Sequence, residues 1–357
     1  MQWDLFCRVV DNFGDIGVCW RLAADLAARG DEVRLWLDDA SALRWMAPDG
    51  AAGVDVLPWP ADDDESIVPR PHVVEAFGCH LPAGFTKSMS SCAVPPVWIN
   101  LEYLSAEDYV ERSHGLPSPQ SHGPARGLNK WFFYPGFTRA TGGLLREADL
   151  IERQRCFDAP SWRHARAIDL RPGERCVSLF CYANDAVPAL VTELARSPTL
   201  LLVTPGFAEG QVRALFGNST AQGALRLHYL QRLAQVDYDH LLWSSDLNLV
   251  RGEDSFVRAQ WAGKPFLWQI YPQDDGAHAR KLDAFAKRFL ASASPQLASA
   301  VTNAFLGWNG LRAVRGALLP PPERWDDWRA HCVRWRVELE GLPELSSALR
   351  AFAAERR

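Results

Sequence analysis

The chain has 357 residues, enough for two domains of ordinary size, and 48% hydrophobic with 23% charged residues is the composition of a globular protein with large cores. A net charge of -5 supplies no basic footprint for nucleic acid, and no apolar run is long enough to span a bilayer. The eight cysteines form no Cys-x-x-Cys pair, and Asp4 and Arg8 interrupt the opening stretch too early for a signal peptide, so a reduced cytoplasmic protein that binds neither nucleic acid nor membrane is expected.

Residues 3–10 are apolar and β-branched, as a buried strand requires. Val18, Leu22, Ala23, Leu26 and Ala27 then recur at helical spacing, and Gly30 supplies a stop. Between them, Asp11-Asn12-Phe13-Gly14-Asp15-Ile16-Gly17 is a tight strand-to-helix turn. It lies at the carboxyl end of a strand, where open parallel sheets bind ligands. Its glycines permit close backbone approach. Asp11 and Asp15 have two interpretations: a turn former and a helix cap, or two carboxylates sharing one ligand.

Strands are expected next at 33–37, 54–59, 72–77, 96–101 and 130–137, with helices at 41–46 and 82–91. The acidic loop 61–65 is either a solvated surface or a docking patch for a cationic partner. Ser105, with Asp108 three residues on, resembles a helix cap. Residues 115–126, rich in Pro, Ser, Gly and His, have no periodicity and are expected to form a long loop.

Charge and proline rise over 153–174, where a linker is expected, and the pattern then restarts. Strands are predicted at 176–182, 200–204, 225–230, 247–250 and 265–270, and helices at 186–196, 211–216, 238–243 and 253–262. An amphipathic helix follows Gln273-Asp274-Asp275-Gly276 and runs to 290, and everything from 295 onward is expected to be helical. Strands alternating with helices imply βαβ units and parallel sheets. The expected fold is therefore α/β, with two doubly wound Rossmann-like domains, 1–155 and 156–357, facing each other across a cleft. The second carries a helical C-terminal segment. Fifteen tryptophans are a surplus that serves cores and ligand clefts alike.

A second acidic turn, Arg251-Gly252-Glu253-Asp254-Ser255, runs from a strand into the first turn of a helix. Free N–H groups and the dipole at such an N-terminus suit a diphosphate. Arg251 adds a fixed charge and Ser255 a hydroxyl, so a leaving nucleoside diphosphate is stabilised without a divalent metal; the alternative is an ordinary capped first turn. Tyr182 and Asn184 close the first strand of this half, and Gln235 and Tyr238 precede a helix, positions from which a base or ribose is read. Neither a GxGxxG nor a Walker loop is present. His278, alone near a helix start, is left out of the site.

Trp3-Asp4-Leu5-Phe6-Cys7-Arg8-Val9-Val10 with the turn that follows, Trp98-Ile99-Asn100-Leu101-Glu102-Tyr103-Leu104-Ser105, residues 246–256, Tyr271-Pro272-Gln273 through His278, and Lys281-Leu282-Asp283-Ala284-Phe285 resemble the EarP family, the protein-arginine rhamnosyltransferases of bacterial elongation factor P. The resemblance implies a B-type (GT-B) glycosyltransferase fold, dTDP-β-L-rhamnose as donor with no further cofactor, an arginine of elongation factor P as acceptor, and inversion at the anomeric carbon. The modified factor then relieves ribosome stalling at polyproline stretches. By position it implies catalytic roles for Asp11, Asp15 and Glu253, with Asp15 as general base. Substrate or nucleotide contacts fall on Phe13, Gly14, Tyr182, Gln235, Arg251, Asp254 and Ser255. Residues 230–233 lack an aromatic expected in the family near the base, so base stacking at that wall departs from the pattern, and the 115–126 loop is particular to this chain.

Simple chemistry fits these assignments. A guanidinium holds its proton at any physiological pH, with a pKa above about 12. Carboxylates grip it, orient one nitrogen at the sugar carbon, and take a proton as the bond forms. Two other functions remain in competition: another B-type transferase or nucleotide-sugar epimerase with a small acceptor, and a non-catalytic module that binds elongation factor P or a nucleotide. The second leaves the acidic turns unexplained.

Overall fold

The structure is a computed structural model that describes residues 1–10, 13–272, 276–314 and 316–357. The chain divides into two compact units, Met1–Ala148 together with Gly341–Arg357, and Asp149–Glu340.

In chain order the first unit contains β1 (Gln2–Cys7), α1 (Gly14–Ala28), β2 (Glu32–Leu37), α2 (Leu43–Met46), β3 (Val54–Pro58), β4 (His72–Ala76), α3 (Ala83–Ser91), β5 (Val97–Leu101), α4 (Tyr109–Ser113), β6 (Pro117–Pro119) and β7 (Asn129–Phe133). Its 7-stranded sheet has the order β3-β2-β1-β4-β5-β7-β6 and is parallel except for β6. The period of two in β1 covers both faces. Trp3, Leu5 and Cys7 pack with Ile16, Leu22 and Leu26 of α1, whereas Phe6 packs on the other face with Phe85 and Met89 of α3.

The second unit contains α5 (Leu150–Arg155), α6 (Ala159–Ala165), β8 (Arg175–Leu179), α7 (Val187–Leu194), β9 (Thr199–Val203), α8 (Phe207–Phe216), β10 (Ala221–Gln222), β11 (Leu225–Tyr229), α9 (Gln235–Ser244), β12 (Leu247–Arg251), α10 (Asp254–Ala262), β13 (Phe266–Gln269), α11 (Ala277–Phe289), α12 (Pro295–Trp308) and α13 (Trp325–Glu340). Its 6-stranded sheet has the order β10-β11-β9-β8-β12-β13, parallel except for β10. The last helix, α14 (Leu345–Ala354), belongs to the first unit.

In both sheets the chain builds outward in one direction, then crosses back to the other side of the starting strand. The switch points fall between β1 and β4 and between β8 and β12. In open α/β sheets, such switch points at the carboxyl ends of the strands are where ligands bind.

Several elements differ from expectation. The unit boundary lies at 148/149, and α14 returns to the first unit, whereas the sequence had suggested 1–155 and 156–357. Leu345, Leu349 and Phe352 join the core around β1, and Arg29 pairs with Glu344 at 2.6 Å. The return depends on Gly143 (φ 70), because a Cβ there would lie 1.8 Å from the Pro343 carbonyl oxygen. The expected linker at 153–174 contains the end of α5 and all of α6. The 115–126 stretch is not wholly loop: Pro117–Pro119 pairs antiparallel with β7 as an edge strand, the one place where two prolines are tolerated. Ser105 does not cap α4; its hydroxyl accepts from the Glu107 N–H and donates to the Glu107 carboxylate. The acidic 61–65 loop is partly structural, since the Asp62 carboxylate accepts from Ala83 N–H at the start of α3 (3.0 Å) and Glu65 pairs with Lys87. Between α12 and α13 the described residues are not helical apart from one short 3-10 turn at Pro322–Arg324.

No tryptophan is exposed; most are buried in the cores, and Trp45, Trp59 and Trp131 are half-buried. Of the exposed large aromatics, Tyr103, Phe207 and Tyr271 follow β5, β9 and β13, and Tyr109 begins α4. No helix among the described residues is long and apolar enough to cross a membrane.

Candidate active site

The two turns singled out in the sequence each lie at a switch point, one in each unit. In the first unit, β1 leads through the turn into α1, with Phe13 at the N-cap and Gly14 as the first helical residue. Asp15 is 2% exposed, yet its carboxylate is firmly held. Val10 N–H donates to Oδ2 at 2.9 Å, and the Tyr103 hydroxyl donates to Oδ1 at 3.2 Å. A carboxylate fixed at both oxygens keeps one rotamer and one orientation. Phe13 packs edge-on against Trp45 at 5.1 Å between ring centroids, which steadies the turn. Asp11, the other predicted catalytic carboxylate, lies outside the described residues.

Behind Asp15 lies Cys19, fully buried on α1. Desolvation, then the neighbouring Cys7 thiol and the Asp15 charge, push the Cys19 thiol well above its ordinary value. It stays neutral and does not compete with the carboxylate for a proton.

The second unit builds its turn from the end of β12. Gly252 takes φ 63, a left-handed conformation open to glycine, and its carbonyl accepts from Trp268 Nε1 at 2.8 Å. Glu253 is the N-cap of α10, one residue earlier than the predicted first turn, and Asp254 is the first helical residue. Ser255 closes the turn on itself. Its oxygen accepts from the Arg251 N–H at 3.2 Å and its hydroxyl donates to the Arg251 carbonyl. The sequence had placed that hydroxyl on a diphosphate; in the structure it ties β12 to α10.

Arg251 is 5% exposed, and its guanidinium carbon lies 4.3 Å from the Tyr182 ring centroid and 4.5 Å from that of Phe180. Stacking on two rings holds a cation in place while leaving its N–H donors directed by the fork. Tyr182 is itself anchored, its N–H donating to Gln269 Oε1 at 2.9 Å and its ring meeting Tyr271 edge-on at 5.4 Å. Gln235 and Tyr238 lie within the first turn of α9, not in a preceding loop. Gln235 Nε2 donates to Asp254 Oδ2 at 3.1 Å, joining two predicted nucleotide contacts. Burial pushes the Tyr238 phenol far above its ordinary value, so it remains a neutral hydroxyl.

The structure thus gathers Tyr182, Gln235, Arg251, Asp254 and Ser255 around one switch point, with Glu253 at its helix cap. It places Phe13, Gly14 and Asp15 at the other. Sequence reasoning missed Tyr103 and Phe180. Both lie in or beside stretches already noted, Tyr103 in the 98–105 segment and Phe180 two residues before Tyr182, but nothing local announces their contacts. Among the described residues no group of three or more His, Cys, Asp or Glu side chains is placed to hold a metal ion.

Known proteins correspond closely to this chain. The family described as elongation factor P (EF-P) rhamnosyltransferase EarP matches residues 3–354. The protein-arginine rhamnosyltransferase of Pseudomonas aeruginosa is 42% identical over 377 residues, covering 99% of each chain. That of Neisseria meningitidis serogroup B is 36% identical over 380 residues, covering 98% of this chain and 96% of its own. A solved structure concerned with EarP-mediated arginine glycosylation of translation elongation factor EF-P superimposes with a TM-score of 0.71 at 31% identity, over 100% of this chain and 99% of that one. The spinosyn forosaminyltransferase SpnP shares the fold at a TM-score of 0.51 and 13% identity. The architecture is that of GT-B glycosyltransferases.

Proposed function

The chain belongs to the EarP family of elongation factor P rhamnosyltransferases, and from that premise we propose that it transfers L-rhamnose from dTDP-β-L-rhamnose to an arginine of elongation factor P, with inversion, in the cytoplasm. Asp15 carries this reading: a buried carboxylate with both oxygens fixed, at the carboxyl end of β1. The first unit takes the acceptor and the second the donor.

The Asp15 carboxylate serves as general base, Asp11 orients the acceptor guanidinium, and Glu253 completes the acidic cage. One guanidinium nitrogen forms the C–N bond at the anomeric carbon, on the face opposite the leaving group. The C–O bond to the diphosphate breaks, and the nitrogen's proton passes to Asp15. The departing dTDP carries its charge to the N-terminus of α10 and to Arg251, which its aromatic rings hold ready. Fixed protein charge does the work a metal ion does elsewhere, so no resident cofactor is required. Asp254, held by Gln235, and Tyr182 supply contacts to the nucleoside.

Intact-mass spectrometry of elongation factor P incubated with the protein and dTDP-β-L-rhamnose tests this. The expected result is one added deoxyhexose, mapped to an arginine and lost in Asp15→Asn. An unmodified acceptor with normal donor binding would refute the arginine assignment. Near-normal turnover of a folded Asp15→Asn protein would remove Asp15 as base.

A further inference from the structure

Tyr103 is 38% exposed, so the core does not require its ring, yet three features hold it in one place. Its hydroxyl donates to Asp15 Oδ1 at 3.2 Å. Its ring lies face to face on Phe77, with centroids 4.3 Å apart and planes 10° from parallel. Phe77 itself sits at φ 57, a left-handed conformation that a bulky aromatic residue rarely adopts. The surrounding bonds enforce that conformation. Phe77 N–H donates to the Leu101 carbonyl at 2.7 Å, and the next residue, Gly78, donates to Asn100 Oδ1 at 3.2 Å. Asn100 is 3% exposed, and its Nδ2 donates to Glu102 Oε1 at 2.6 Å. The loops after β4 and β5 are thereby fastened together, and what they present is one phenol directed at one carboxylate. Strain kept in place by several bonds beside a reactive group is characteristic of functional sites.

We propose that Tyr103 is a positioning residue for Asp15, fixing the carboxylate through Oδ1, and that the strained Phe77 loop exists to hold the phenol there. The inference rests on the reading of Asp15 as general base. The Val10 N–H holds Oδ2 from the same chain segment, while Tyr103 holds Oδ1 from the loop after β5. Losing the phenol hydroxyl removes that restraint on the orientation of the carboxylate toward the attacking nitrogen. Loss of one hydrogen bond to a charged group in the transition state corresponds to a rate loss of about tenfold to a hundredfold.

The test is Tyr103→Phe, which removes one oxygen and keeps the ring on Phe77, assayed with dTDP-β-L-rhamnose and elongation factor P. We expect kcat to fall about tenfold to a hundredfold, with both KM values and the melting temperature close to wild type. A merely structural tyrosine would move the melting temperature and the folded fraction, not kcat alone. Phe77→Leu, which keeps the hydroxyl but loses the stack, is expected to lower kcat in the same direction by a smaller factor. Because Tyr103 acts through Asp15, Tyr103→Phe should cost nothing further in an Asp15→Asn background. Unchanged kcat in Tyr103→Phe, a loss confined to the acceptor KM, or a full additional loss on top of Asp15→Asn overturns the proposal. Wild-type kcat in Asp15→Asn alone defeats the general-base reading instead, which separates the two failures.

Discussion

The 251–255 turn of the second unit is framed by a charge pair whose removal has a calculable cost. Arg258 of α10 and Asp239 of α9 are 2% and 1% exposed, and they meet side-on through Nε–Oδ1 at 2.9 Å and Nη2–Oδ2 at 2.7 Å. The same two helices carry Asp254 with Ser255 and Gln235 with Tyr238, so the pair fixes the frame in which the proposed nucleotide contacts lie. Replacing Asp239 with Ala leaves a guanidinium in a site that water does not reach, and breaking a buried pair this way costs about 3–5 kcal/mol. For a unit of this length, each kcal/mol is worth about 2–4 °C, so melting of the second unit should fall by roughly 6–20 °C. Tryptophan fluorescence during thermal or urea unfolding reads this directly, since Trp243 and Trp261 are buried on α9 and α10. The double replacement Asp239→Leu with Arg258→Met removes both charges and should recover most of the loss. Affinity for dTDP should weaken in the single variant, because Gln235 and Asp254 lose their common frame. A single variant melting within about 2 °C of wild type would refute the reasoning. A double variant no better than the single would place the cost in lost packing instead of unpaired charge.

Two other outcomes are expected. Arg251→Lys keeps the charge but loses the planar group stacked on Tyr182 and Phe180. The Kd for dTDP in calorimetry should therefore rise about tenfold to a hundredfold, and a change below threefold would contradict a stacked, forked contact. His331 of α13 is fully buried, its Nε2 lies 2.7 Å from the Phe289 carbonyl, and burial holds its pKa below the ordinary 6.5. A folded-state pKa below the unfolded one means that the unfolded chain binds the proton first, so this stability is complete above pH 6.5 and declines as pH falls below it. The melting temperature should drop between pH 7 and pH 5, and less so in His331→Gln; equal slopes for the two proteins would exclude His331 as a source.

Both turns were legible because their signals are local. Apolar strand, glycine and carboxylate in seven residues predict a strand-to-helix turn whatever the rest of the chain does. The partners of those turns were not legible. Tyr103 is 88 residues from Asp15 in sequence, and Gln235 is 19 from Asp254. Nothing in a single sequence specifies which loop meets which when two strands become neighbours in a sheet. Helical spacing at Leu345, Leu349 and Phe352 likewise identifies α14 as a helix with one apolar face. That face fits a hydrophobic layer in either unit, and the choice is made by Gly143, Arg29 and the carbonyl of Leu144, which accepts from Leu345 N–H at 3.0 Å. The short edge strand at Pro117–Pro119 was hidden for the opposite reason: proline argues against a strand everywhere except at an edge, and edges are a tertiary property.

The two turns are constructed differently, and that difference has consequences for how each responds to substitution. In the second unit the turn closes upon itself, with Ser255 bonded to both the N–H and the carbonyl of Arg251, four residues away. Gln235 of α9 on Asp254 and Trp268 of β13 on the Gly252 carbonyl add to it from neighbouring elements, but the bonds that close it are local. In the first unit Asp15 accepts from Val10 in its own segment and from Tyr103 in the loop that follows β5, and that loop is fastened in turn to a strained residue after β4. The Tyr103 contact therefore forms only when β1, β4 and β5 are all in register. Conservative changes in 77–80 or 100–105 should then reach kcat without touching donor affinity, while changes in 251–255 should reach donor affinity first. Loosening of the first unit by mild denaturant should extinguish turnover before dTDP binding is lost, whereas simultaneous loss of both would mean that the acceptor turn is no more dependent on distant strands than its counterpart.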